Sequence, residues 1–215
     1  MNPDVLAELD HVMTTTRAVR KRLDFDRTVS LDIILECLRI ATHAPNARNE
    51  QDWRWVVVSD SALRRDIGSA LVLPGGAPGR RTDQPIDQGI SDSAAYLRAH
   101  LAEVPVLVFA CMRGTIPPGA NSRYMADFYA SIIPAVWSFL LALRARGLGS
   151  VLTTEFLTHE PVMRSLLGIP DDVTPVVMTP VAYFRGEMRP PTRRRVEEVV
   201  YFDRWGNGPR SSDGR

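Results

Sequence analysis

The chain has 215 residues, 45% of them hydrophobic and 24% charged, which is enough to build one full core and short for two independent ones. Lys+Arg 26 against Asp+Glu 25 leaves a formal net charge of +1, so there is no global field to recruit nucleic acid or an anionic membrane surface. Two cysteines, Cys37 and Cys111, lie inside apolar runs and supply no disulfide framework, which favours a reducing compartment.

Met1–Asp10 carries acidic residues where a secretory leader is basic and then apolar. The longer apolar stretches are broken by Arg, Pro or Ser before a span of about 18 residues accumulates, so a soluble cytoplasmic protein is expected. From Asp4 to about Leu23, Val5, Leu6, Leu9, Val12 and Met13 recur at helical spacing and run into the basic string Arg17-Ala18-Val19-Arg20-Lys21-Arg22. This predicts a first helix ending in positive charge. Ser30 caps a second helix with Ile34, Leu35, Leu38 and Ala41 on one face, stopped at Pro45. The polar loop 46–52 leads to Trp53–Val58, an aromatic and β-branched strand, and then to a helix over 62–73.

Residues 74–92 have no periodicity and read as a long loop, followed by a short helix over 93–102. The continuous apolar run 104–111 reads as a strand buried on both faces. After a second loop at 112–124, the longest helical pattern extends from Met125 to Arg146. Pro134 inside it predicts a kink or a later start, and Gly147-Leu148-Gly149 its end. Strands at 150–154 and 173–183 are separated by a helix from His159 to Leu167 with its stop at Gly168-Ile169-Pro170. Helices outnumber strands without uniform βαβ alternation, which points to an α+β sandwich. Residues 1–215 read as a single domain whose segment from about 185 to 205 is an extended C-terminal arm and whose residues 206–215 fray.

Several site classes lack support. No G-x-G-x-x-G lies between a strand and a helix, and Gly75-Gly76-Ala77-Pro78-Gly79-Arg80-Arg81 lacks P-loop spacing. The four histidines are scattered, which gives no metal-ligand pattern, and no serine or cysteine has the setting of a hydrolytic nucleophile. Two basic clusters do stand out: Arg17/Arg20/Lys21/Arg22, and Arg189/Arg193/Arg194/Arg195. If they converge they form an anion site through guanidinium forks; if not, they are solvated faces. The amides Asn46, Asn49 and Gln51, following Pro45, can either address the edge of a pyrimidine-like ring or serve the turn itself.

Taken together, T-R-A-V-R at 16–20, A-P-x-x-x-N-x-Q-x-W at 44–53, G-L-G-S-V-L-T-T at 147–154 and R-R-R-V-E-E-V-V at 193–200 resemble the FMN-dependent nitroreductase family. The order of the four strings is the family's. The strings T-T-T-R-x-V-R-K-R-L-D and P-A-V-W-S-F-x-L-A-L-R-x-R-G-L-G-S look most similar to actinobacterial NADH nitroreductases. The resemblance implies a nitroreductase-like sandwich with a central, mostly antiparallel sheet flanked by helices. It also implies a homodimer with FMN at the interface, the long helix in the dimer core and the C-terminal arm reaching the partner.

By the same resemblance Arg17 and Arg20 hold the flavin phosphate, with Ala18 in the same turn and Arg193 closing on it. Pro45, Asn46, Asn49 and Gln51 reach the ring edge or ribityl chain of the partner's flavin, and Leu152, Thr153 and Thr154 pass along the isoalloxazine. Thr16 and Ala18 stand where the family commonly has Arg and Ser, and Asp52 where it has Pro. The implied activity is hydride transfer from NADH or NADPH through FMN to a nitroaromatic, quinone or similar small electrophile, with no protein side chain as catalytic residue and no metal. A deazaflavin donor, a flavin-sequestering protein and a small-anion binder remain as alternatives. Arg80, Arg81 and Tyr124 are the candidates for acceptor contact.

Overall fold

A computed structural model describes residues 2–72 and 87–209. Five strands, β1 (Leu23–Asp24), β2 (Trp53–Val58), β3 (Val106–Arg113), β4 (Leu148–Ser150) and β5 (Val173–Phe184), form one sheet with the order β1-β5-β3-β2. β4 also pairs with β5, and every strand pairing is antiparallel. Helices α1 (Pro3–Thr15), α2 (Leu31–Ala41), α3 (Ser61–Leu71), α4 (Gln88–Ala99), α5 (Ser122–Ala145) and α6 (Glu160–Leu167) surround it. This is the α+β sandwich expected from the sequence.

The strands at the centre are those with unbroken apolar runs. β3 is buried along all but its last residue and pairs on both sides, which leaves no solvent face and explains why its sequence does not alternate. On one face Phe109, Phe156, Ile67, Leu101 and Met163 pack together; on the other, Ile34, Val108, Phe139, Leu143 and Val181 do. Several boundaries differ from expectation for identifiable reasons. α1 stops at Thr15, because Thr16 turns to extended backbone (φ −65°, ψ 125°), and the basic string is a loop, not a helix end. In α2 the buried face uses Cys37, while Leu35 is exposed. α5 starts at Ser122, three residues before Met125, because Asn121 caps it by accepting from the Tyr124 N–H; Pro134 lies within it. α5 has the length and composition of a membrane span despite its arginines and Pro134, but half of that stretch is buried inside the chain.

The anticipated loop at 74–92 gives way to α4 from Gln88, whose N-terminus is capped by Asp87 accepting from the Ile90 N–H. The strand at 150–154 is shorter than expected. After β4 it is represented only by a bridge between Thr153 and Met178, while the two-residue β1 was not foreseen. Phe202 N–H to the Asn207 carbonyl (2.7 Å) folds residues 202–207 into a turn, and 210–215 lie outside the described residues.

The two glycines of Gly147-Leu148-Gly149 do different work. Gly147 has φ 76° just past the α5 end, the left-handed conformation for which glycine is suited. Gly149 leaves room for close approach: a Cβ there would lie 3.0 Å from Phe184 Cβ, 3.2 Å from Leu23 Cδ2 and 3.3 Å from Val19 Cβ. Gly149→Val should therefore lower unfolding stability by about 1–3 kcal/mol, as overpacking does. Urea denaturation measures this, and an unchanged midpoint would contradict the packing.

Candidate functional site

The basic loop 17–22 is anchored by two buried residues four positions apart. Val19 and Leu23 are buried, and the Val19 N–H donates to the Ser150 carbonyl at 2.9 Å, which pins the loop to β4. Arg17 before Val19, and Arg20, Lys21 and Arg22 between Val19 and Leu23, line a cavity of about 940 Å³ together with Ala18, the first turns of α4 (Gly89, Ile90, Ser93), Glu187 and Arg189. Five cationic side chains face two carboxylates, Asp87 and Glu187, in this lining. Asp87 is engaged as the α4 cap.

Arg22 is a tether as well as a lining residue. Its Nη1 donates to the Glu187 carbonyl (2.7 Å), and its own carbonyl accepts from the Arg185 N–H (2.8 Å). Arg185 in turn bonds the carboxylates of Asp24 (2.8 Å) and Asp26 (2.7 Å), which holds the Asp24 carboxyl below the usual range. These bonds fasten the chain after β5 against the basic loop and so bring Arg189 to the cavity. Among the described residues, Arg17, Arg20, Lys21 and Arg22 form no ion pair. Arg20 is only half exposed, and burial pulls its guanidinium below its usual value. Its hydrogen-bond partner is the Ser93 hydroxyl at 3.5 Å. A half-buried cation facing a cavity without a carboxylate partner marks a place for an anion.

Arg20 also opens onto an inner recess of about 60 Å³, walled by Leu71, Leu97, Leu101 and Met178, where the Thr153 side chain and the Arg98–Glu155 ion pair are found. Thr153 is fixed by two backbone bonds with Met178, at 3.0 and 2.9 Å. Leu152 is exposed, and Thr154 opens the 3-10 turn Glu155–His159.

The remaining sequence candidates lie elsewhere. Ala47, Arg48, Glu50 and Asp52 line a separate cavity of about 240 Å³ with Tyr124, Asp127, Phe128 and Ser131; Pro45, Asn46, Asn49 and Gln51 belong to the same loop. None of these lines the basic cavity or its recess. Part of the loop's amide chemistry serves the loop: Asn46 Oδ1 accepts from the Gln51 N–H (2.9 Å), and Asn49 Oδ1 from Gln51 Nε2 (3.3 Å). Arg48, Asn49 and Gln51 all have φ between 51° and 56°, a costly conformation for non-glycine residues that tends to persist where function requires it.

Of the second basic cluster only Arg189 reaches the cavity lining. Arg193 is exposed and donates to the Thr192 carbonyl (3.0 Å), and Arg195 pairs with Glu197 (3.3 Å). Arg189 was legible as part of that cluster, but its separate placement was not. Arg80 and Arg81 fall outside the described residues. Tyr124 is on α5 and donates to the Thr115 carbonyl (2.8 Å).

The nitroreductase family model matches positions 13–183. The chain belongs to the nitroreductase family, whose members are flavin-dependent oxidoreductases. It is 27% identical over 191 residues to iodotyrosine deiodinase of Drosophila melanogaster, covering 85% of this chain and 64% of that enzyme's length. It is 26% identical over 189 residues to nitrobenzene nitroreductase of Ectopseudomonas oleovorans, covering 76% and 81% of the two chains. Its fold is similar to that of iodotyrosine deiodinase bound to FMN and 3-iodo-L-tyrosine, with a TM-score of 0.66 at 23% identity over 92% of this chain and 100% of that one. A nitroreductase-like protein from Bacillus cereus gives a TM-score of 0.67 at 20% identity, over 89% and 94% of the chains.

The cysteines take no part in the basic cavity. Burial pushes both the Cys37 and Cys111 thiols up to about 11, so at pH 8 only about one in a thousand is thiolate. Iodoacetamide at pH 8 should leave the native protein unlabelled and modify both cysteines once urea is added. Rapid native labelling, read by mass spectrometry, would show that one of them is accessible.

Proposed function

We propose that this nitroreductase-family chain is an FMN-dependent oxidoreductase that takes hydride from NADH or NADPH and reduces a small electrophile such as a nitroaromatic, a quinone or a halogenated aromatic. The observation that carries the reading is Arg20, half-buried and, among the described residues, without a carboxylate partner, at the junction of the basic cavity and the inner recess. Arg17, Lys21 and Arg22 supply further positive charge, with Arg189 shared with Glu187 at 4.0 Å, which suits a phosphate monoester carrying about −1.5 to −2 at neutral pH. The volume of the cavity lies within the range of about 300–1,000 Å³ typical of small-molecule sites. The donor set therefore fits FMN.

Bound FMN supplies the hydride chemistry, and the residues of this chain supply binding and electrostatics. Arg17 and Arg20 hold the phosphate with Ala18 in the same turn. Leu152, Thr153 and Thr154 border the ring, where the Thr153 Oγ1 accepts from the Glu155 N–H (3.3 Å) and so keeps its own proton free to donate. Pro45, Asn46, Asn49, Gln51 and Tyr124 serve the site of a second copy of the chain, and Arg193 closes on the phosphate in that assembly.

Exposed apolar surface supports the homodimer. Met125, Tyr129, Ile133 and Trp137 form an exposed stripe at i, i+4 spacing that flanks the buried face of α5, and Val5, Leu6, Leu9 and Met13 form another on α1. Val199, Phe202 and Trp205 lie exposed in the C-terminal arm of a single domain spanning 1–215. Cytoplasmic residence suits the two free, buried cysteines.

The purified protein should show a flavin absorption band that bleaches on anaerobic addition of NADH or NADPH and returns when nitrobenzene, a quinone or 3-iodotyrosine is added. A band that neither nicotinamide bleaches would replace the donor by a deazaflavin or indicate flavin storage; no band after incubation with FMN would leave an anion-binding module. Arg20→Ala should weaken FMN binding about 10- to 150-fold, the cost of a charge-assisted hydrogen bond of about 1.5–3 kcal/mol, as read by fluorescence titration. Unchanged affinity would put the phosphate elsewhere.

A further inference from the structure

The recess next to Arg20 contains a charge pair that phosphate binding does not require. Arg98 sits in the last turn of α4 and Glu155 at the start of the 3-10 turn that follows Thr153 and Thr154, so each charge lies at the helix end that favours it. One Arg98 Nη2 contact engages Glu155 Oε1, while the buried Arg98 Nε has no hydrogen-bond partner among the described residues. Both side chains line the recess with Arg20, Thr153 and Met178, and each is a little over one-third exposed.

Without Arg98, the Glu155 carboxylate would stand as a bare negative charge two residues from Thr153, in a recess that a bound ring would close to water. There Coulomb interactions are several-fold stronger than in bulk solvent, and a carboxylate opposes the arrival of electrons. Without Glu155, Arg98 would add an uncompensated cation next to Arg20.

We propose that Arg98 is a positioning residue that acts through Glu155: by neutralising that carboxylate it sets the reduction potential of a flavin held at this site. The proposal rests on the FMN reading above. The neutral pair keeps the potential between two extremes, one set by a lone carboxylate and the other by a lone guanidinium. The apolar walls of the recess make the balance matter once a bound ring covers it, since without one each side chain is a little over one-third exposed to solvent.

The test is spectroelectrochemical titration of the FMN-loaded protein as wild type, Arg98→Met, Arg98→Lys, Glu155→Gln and the double variant Arg98→Met/Glu155→Gln. Methionine and glutamine keep most of the side-chain volume, so the comparison isolates charge. Arg98→Met should shift the midpoint potential negative and Glu155→Gln positive, while the double variant should return close to wild type and Arg98→Lys should stay close to it. A purely structural pair would lower FMN affinity in both single variants without opposite shifts in potential. If wild type binds FMN and Arg98→Met has the wild-type potential, or if the two single shifts have the same sign, the role of Arg98 is overturned and the cofactor reading stands. If wild type binds no FMN at all, both are overturned.

Discussion

The hydrogen bond from Val19 N–H to the Ser150 carbonyl is the constraint on which the site depends. It fixes the register of a loop that has no secondary structure of its own, and that register decides which side chains of 17–22 are buried and which face the cavity. The bond forms only because the chain can come so close to β4. Gly149 has no side chain to separate Val19, Leu23 and Phe184, and any other residue would meet all three near van der Waals contact or closer. Buried Val19 and Leu23 then hold the loop by apolar packing, while the intervening arginines and lysine are left pointing away from the core. A packing requirement at one glycine thus becomes an electrostatic feature.

That feature is held at a cost. Like charges crowded along one loop repel, and the half-buried Arg20 has lost part of its hydration without gaining a carboxylate among the described residues. The fold offsets this locally: Arg22 is drawn off to backbone carbonyls, Asp87 caps the nearby start of α4, and Glu187 lies in the lining. The remaining imbalance is what an anionic group would relieve, so binding of such a group and stability of the loop are linked. This is why Arg20 is more informative than the more numerous exposed arginines of the C-terminal arm, whose charge water already solvates.

The fold was largely legible because its central elements are governed by local rules. The apolar runs gave β3 and β5, and the caps Ser30, Asp60 and Gly168 gave the ends of α2, α3 and α6. The errors fall where tertiary contacts override a local pattern. Helical spacing carried the expected α1 past Thr15, although Val19 is needed beside Ser150. A composition rich in glycine and proline suggested loop up to residue 92, although Asp87 starts a helix that brings Ser93 to Arg20. The site was legible as a list of residue types but not as an arrangement. Arg17 and Arg20 could be chosen from the sequence, while the choice of Arg189 over Arg193 in the cavity lining depends on the Arg22 and Arg185 bonds that fasten the chain after β5. The Arg98–Glu155 pair joins residues from two helix ends and left no local signal.

The distribution of chemistry over the surface carries the last step. Within one chain the cationic cavity has arginines and a hydroxyl-bearing strand end, whereas the strained amide loop and Tyr124 stand at a different cavity. Neither half makes a complete site for a molecule with a phosphate at one end and a polar, planar ring at the other. The stripes left uncovered on α1 and α5 supply a way to join them, since covering those stripes with a second copy would bury apolar surface on the same helix whose first turn presents Tyr124. In the proposed dimer the backbone strain at Arg48, Asn49 and Gln51 would set how this loop meets the second copy. Within the chain that left-handed backbone goes with the loop's own bonds, from the Gln51 N–H to Asn46 Oδ1 and from Gln51 Nε2 to Asn49 Oδ1, which fix where its amides stand before any second copy meets them.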